Sequence, residues 1–143
     1  MNLERIKLRK EFVSEIRGII LSARNNAIRS VDWERVQMYW KLGERIFNEE
    51  QGGEDRAEYG RSLIPNLSAR MEAEFGSGFS VRQLAYARLF YKTYPILHAL
   101  RAKFNWLQYK LLIQIDDEDK REYYELETLN NNWTGRELER QNQ

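Results

Sequence analysis

Apolar residues recur at three- and four-residue steps along most of the chain. Ile6, Phe12, Val13, Ile16, Ile19, Ile20, Ala23 and Ala27 draw one stripe down a helix over residues 3 to 29. Ser30 and Asp32 offer N-cap oxygens, and Trp33, Val36, Trp40, Gly43 and Phe47 then resume the spacing as far as Gly52-Gly53. The pattern therefore predicts a long helix pair over residues 3–53. Gly43 inside the second member costs about 1 kcal/mol relative to alanine and marks a close helix crossing. From Ala57 to Phe75 the apolar set is Leu63, Ile64, Leu67, Met71 and Phe75, and Pro65 predicts that this third helix either bends there or starts near it.

The punctuation of the second half is more explicit. Gly76-Ser77-Gly78 ends the third helix, and Phe79-Ser80-x-x-Gln83-Leu84 then supplies a cap, its reciprocal partner and a staple pair. Phe104-Asn105-x-x-Gln108-Tyr109 is a looser version of this device, and Trp133-Thr134-x-x-Glu137-Leu138 a full one. They place helix starts at residues 81, 106 and 135. Pro95 stops the helix begun at 81, while Asp116 and Asp117 cap another that runs through Tyr123, Tyr124 and Leu129 to the Asn130-Asn131-Asn132 run. No segment alternates long enough to demand a strand, and neither a fixed-period repeat nor a flexible linker divides the chain. The expected fold is all-α: one compact domain over 1–143 with six or seven helices, whose 57–143 portion forms a helix-turn-helix-like subregion.

Composition changes this picture little. At 143 residues a core of ordinary size is available, and Trp33, Trp40, Trp106 and Trp133 help to fill it without metal or disulfide. Cysteine is absent, which excludes thiolate metal sites and cysteine nucleophiles and suits a reducing compartment. The start Met1-Asn2-Leu3-Glu4-Arg5 has no apolar leader and no later run reaches membrane-spanning length, so a cytoplasmic protein without membrane contact is expected.

Candidate chemistry is sparse. His98 has no serine, carboxylate or second histidine at a useful spacing and reads as a surface or boundary residue. Gly76 and Gly78 separate two helices, with no phosphate-loop lysine after them. Asp116-Asp117-Glu118-Asp119-Lys120 contains an acid-x-lysine triplet, but its carboxylates stand side by side at a helix start, where the macrodipole favours them. Tyr123, Tyr124 and Trp133 read as core rather than as base-stacking rings. No catalytic residue, metal or cofactor is expected.

The helix from 81 to 94 is the best functional candidate. With Leu84, Ala87, Tyr91 and Tyr94 inward, the opposite face presents Arg82, Ala85, Tyr86, Leu89, Lys92 and Thr93. The preceding helix, the glycine turn and this helix suit a helix-turn-helix that binds DNA through Arg82, Gln83, Tyr86 and Lys92, with Arg61 or Arg70 on phosphates. The net charge of +1 weighs against strong duplex binding unless the basic residues gather on one face. The alternative is a protein-interaction surface, with Tyr86 and Leu89 buried against a second copy of the chain or a partner.

Four stretches carry a family resemblance: Val36-Gln37-Met38-Tyr39-Trp40-Lys41-Leu42-Gly43, Ala57-Glu58-Tyr59-Gly60, Gly78-Phe79-Ser80 through Phe90-Tyr91-Lys92-Thr93-Tyr94-Pro95, and Trp133 through Gln141. On these the chain resembles the helical N-terminal domain of the YhcG-like family, bacterial proteins in which that domain usually precedes a PD-(D/E)XK nuclease domain. From Phe79 to Gln141 it is also similar in layout to the DNA-binding domain of ParB-type partition proteins, which implies a recognition role for the 81 to 94 helix. Family members commonly carry Ser-Trp-Ser-His where Asn105-Trp106-Leu107-Gln108 stands here. The resemblance implies a targeting or assembly module for a nuclease in a restriction or defence setting. With Gln143 the last residue, hydrolysis is expected to reside elsewhere, whether the chain stands alone or is an excised fragment.

Overall fold

The computed structural model describes residues 10–52 and 56–143. Among them lie six α-helices and no strand: α1 (Lys10–Gly52), α2 (Arg56–Phe75), α3 (Val81–Thr93), α4 (Trp106–Leu112), α5 (Glu118–Asn131) and α6 (Gly135–Gln141). Short 3₁₀ turns at Ser77–Phe79 and Leu97–Ala99 link α2 to α3 and α3 to α4. The all-α expectation holds.

The expected helix pair at the start is instead one helix. α1 runs unbroken for 43 residues, about 65 Å at 1.5 Å per residue. Ser30 and Asp32 lie inside it. A capping side chain stabilises a helix start only where the backbone turns extended, and between residues 20 and 40 neither glycine nor proline encourages such a turn. Residues 3–9 and Gly53 of the expected pair lie outside the described residues.

α2 also runs through Pro65 rather than starting there. Proline removes one rung of the helix ladder, yet Pro65 is exposed, where water can serve the orphaned carbonyl. Beside it the Asn66 amide donates to the Ser62 carbonyl at 2.7 Å, adding a side-chain rung to the weakened turn.

The three predicted starts in the second half are the observed ones, at Val81, Trp106 and Gly135. Their reciprocity differs from the motif reading. Asn105, the loosest match, makes the complete box: its side chain accepts from the Gln108 N–H at 2.9 Å, and Gln108 Oε1 accepts from the Asn105 N–H at 2.8 Å. Ser80 Oγ accepts from the Gln83 N–H, but the Gln83 side chain is engaged elsewhere. Asp117 caps α5 by accepting from the N–H groups of Asp119 and Lys120, so the acidic run does serve as a cap. Asn132 ends α5 in the left-handed region at φ 52°, a conformation asparagine tolerates better than most residues.

The core sits where the C-terminal half of α1 crosses α3 and both meet α4. Val36, Tyr39 and Trp40 of α1 cluster with Ala87 and Phe90 of α3, Trp106, Tyr109 and Leu112 of α4, and Leu138 of α6, and Ile46 of α1 and Leu84 of α3 are buried as well. Each such side chain contributes about 1.5–3 kcal/mol by leaving water. Aromatic rings form its centre: Tyr39 stacks on Trp106 at 4.3 Å between centroids, and Phe90 lies 4.8 Å from Tyr109. Their polar ends are satisfied, with the Tyr39 hydroxyl donating to the Gly78 carbonyl at 2.6 Å and Trp40 Nε1 to the Tyr94 carbonyl at 2.7 Å. Gly43 is the crossing point, since a methyl there would collide with the backbone carbonyl of Ala87.

The aromatics near the C-terminal end divide. Tyr124 and Trp133 pack on the core as expected, whereas Tyr123 is 57% exposed and meets Tyr124 edge-on at 5.2 Å. Consecutive positions on a helix lie about 100° apart, so the two tyrosines cannot both face inward.

Candidate nucleic-acid interface

α3 is positioned from its buried side outward. Leu84, Ala87 and Phe90 are buried and Tyr91 and Tyr94 half-buried, so the inward set includes Phe90, which the periodicity reading omitted. The main packing partner of α3 is α1 rather than α2. The opposite face carries Arg82, Ala85, Leu89 and Lys92 at three- and four-residue steps, all exposed, Leu89 at 37%. This face therefore reaches solvent, as the charged pattern predicts. Arg82 and Lys92 lie about 15 Å apart along the axis.

Gln83 does not belong to that face. It is half-buried, and its Oε1 accepts the indole N–H of Trp106 at 2.9 Å, so its role is to clamp the start of α3 to the start of α4. Tyr86 is also half-buried, packed against the core edge with two cations near its ring: the Arg82 guanidinium carbon and Lys110 Nζ each stand 6.0 Å from its centroid. Such cation–π placements contribute about 0.5–1 kcal/mol at exposed sites.

The two arginines of α2 part company. They are nine residues apart, which puts them on nearly opposite sides of the helix. Arg61 lines a shallow groove with Glu50, Ile64, Ala85 and Arg88, beside the exposed face of α3. Arg70 borders a depression formed by residues of α2 alone. The structure thus brings Arg61 to the candidate face and leaves Arg70 apart from it.

Two cations that the sequence reading passed over belong here. Lys110 of α4 approaches Tyr86, and burial, then Arg35, then Arg82, lower its pKa. Arg35 of α1 sits over the Tyr39 ring at 6.0 Å. Among the described residues no carboxylate forms an ion pair with Arg35, Arg82 or Lys110. A signal existed in the sequence, since Lys110 and Trp106 are four apart on one helix face, but the link from Trp106 to Gln83 is a tertiary contact.

Arg88 shows the other fate of a cation on α3. Its Nε donates to both carboxylate oxygens of Glu50 at 2.8 and 2.7 Å, and its guanidinium lies 5.7 Å from the Phe47 ring centroid. Its charge is neutralised inside the fold.

Other candidate chemistry stays dispersed. His98 is exposed at the turn after α3. Among the described residues no group of three or more His, Cys, Asp or Glu side chains is arranged to hold a metal ion, and no helix is long and apolar enough to cross a membrane.

Comparison with known proteins agrees with the residue-level resemblance. The chain is 32% identical to "Putative nuclease YhcG" of Escherichia coli (strain K12), over 86% of its own length and 41% of that protein. It therefore spans about two-fifths of the relative. No solved structure matches it. Residues 15–143 match the DUF1016 N-terminal domain, and the chain belongs to that family.

Proposed function

We propose that this domain is a non-catalytic DNA-binding module that directs or assembles a nuclease. The observation that carries the reading is the outward face of α3, on which Arg82 and Lys92 are exposed and without ion-pair partners among the described residues. Unneutralised cations along one helix face suit a ladder of phosphates, and release of the counterions those phosphates hold would drive association. Arg61 flanks the same face, and Val81 and Arg82, exposed at the N-terminal end of α3, are the part that a major groove would admit. The family context supports an association with nuclease activity, because the matched relative carries the name "Putative nuclease YhcG" and is more than twice as long as the stretch matched here.

The test is duplex binding by fluorescence anisotropy across a salt series. Affinity is expected to fall steeply with salt, and replacing both Arg82 and Lys92 by alanine should reduce the log–log slope by about two, one per lost phosphate contact. A wild-type protein that does not shift labelled duplex at low salt would dismiss the reading.

A second reading, self-association or docking of a protein partner, is favoured by apolar exposure on α1. Phe12 and Ile16 are exposed, and so is Val31 at 69%. Sedimentation over a concentration series tests it, and a constant monomer would remove a second copy as the partner.

A further inference from the structure

Three helices deliver a cation each to the same part of the surface, and the delivery is built rather than accidental. Arg82 of α3 and Lys110 of α4 share the Tyr86 ring, each 6.0 Å from its centroid. The Gln83–Trp106 hydrogen bond, one residue from Arg82 and one turn from Lys110, locks the two helices in that register. Tyr39 stacks on the same indole at 4.3 Å between centroids and carries Arg35 over its own ring. The chain Arg35–Tyr39–Trp106–Gln83 therefore ties Arg35 to the two helices that carry Arg82 and Lys110, through two buried rings and a half-buried amide. Like charges gathered this way repel, which shows in Lys110, whose pKa is lowered by burial first and then by Arg35 and Arg82. Such repulsion, with no ion-paired carboxylate among the described residues to relieve it, suits an external anion.

We infer that Arg35, Arg82 and Lys110 together form a seat for phosphate groups of a nucleic-acid strand, at the N-terminal end of α3 and bridging α1 and α4. This rests on the DNA-binding reading and extends it, because it moves the strongest contact from the length of α3 to its beginning. Two guanidinium forks and one ammonium suit phosphate oxygens, which accept bidentate hydrogen bonds from arginine and a point charge from lysine.

The test uses the full chain with Arg35→Gln and Lys110→Met, substitutions that remove the charge and keep most of the apolar stem. Each is expected to weaken duplex binding about tenfold at moderate salt and to lower the salt slope by about one. Each should also leave the melting temperature unchanged or raise it, since repulsion is relieved; a merely structural role would lower it. Unchanged affinity in both variants, alongside weakened binding in Arg82→Ala with Lys92→Ala, would overturn the seat and leave the α3 face standing. Should the wild type bind no duplex, the seat is still judged separately by titrating inorganic pyrophosphate against the arginine and lysine side-chain NMR signals. Saturable shifts at Arg35 and Lys110 that exceed those at Lys92 support it, and uniform or absent shifts refute it. A poly-glutamate peptide competing as well as duplex at equal charge would also refute it, in favour of an acidic protein partner.

Discussion

Arg82 and Arg88 stand less than two turns apart on α3 and meet opposite surroundings. Arg88 is held by Glu50, itself nearly buried, and covers Phe47, so its charge ends within the fold. Among the described residues Arg82 meets Tyr86, whose ring a second cation, Lys110, also approaches. The contrast extends to the whole helix: one side is fixed by Leu84, Ala87 and Phe90 against α1 and α4, and the other is a run of exposed residues that no part of the described chain covers. A rigid inner face makes the outer one a fixed array rather than a set of independent side chains. Stability and function should therefore separate along this helix, and that separation can be attacked from either side.

The strongest attack on the inner side is Gly43→Ala. The added methyl meets the Ala87 carbonyl, a backbone atom that moves only if α1 and α3 part. A loss of about 3 kcal/mol is expected, seen as a lower urea midpoint with an unchanged slope. A near-neutral result would mean that the crossing is looser than the core suggests. A comparable effect is expected at alkaline pH. Burial pushes the Tyr109 hydroxyl up to about 12 from an ordinary 10, so the folded state holds its proton where the unfolded chain releases it. The associated stability is intact below pH 10 and drains away as the pH climbs toward 12, by about 2–3 kcal/mol. Tyr109→Phe should make that decline shallower in pH-dependent unfolding, while the Tyr94 hydroxyl, also raised by burial, keeps part of it. Glu50→Gln comes next, at about 2 kcal/mol, below the cost of a wholly buried pair because the Arg88 side chain keeps 31% of its exposure.

How much of this was legible beforehand follows the range of the interactions. Caps at Ser80, Asn105 and Thr134 act over three residues, and the sequence pattern located all three helix starts. Gly43 was legible as a crossing because a helix tolerates glycine at a cost that only close approach repays. The break expected near Ser30 and Asp32 rests on cap residues without a glycine or proline beside them, and a cap side chain does not itself force the backbone to turn. The site was less legible. Gln83 looked like a groove-reading side chain because its true partner, Trp106, lies 23 residues away. Arg35 and Lys110 drew no notice because their neighbours Tyr39 and Tyr86 reach them only through tertiary packing.

The smallest expected effect is the most informative one. Arg82→Ala should change stability by less than about 0.5 kcal/mol, because the lost contact with Tyr86 and the relieved repulsion on Lys110 have opposite signs. Arg88→Ala, on the same helix, should lose far more by leaving Glu50 without its partner. Comparing the two by thermal unfolding and by salt-dependent duplex binding gives a crossed pattern if the faces are distinct: Arg88 moves stability with little change in salt slope, and Arg82 moves the slope with little change in stability. Equal stability losses would mean that Arg82 is as much a part of the fold as Arg88, and the outward face of α3 would then need no ligand to account for its charge.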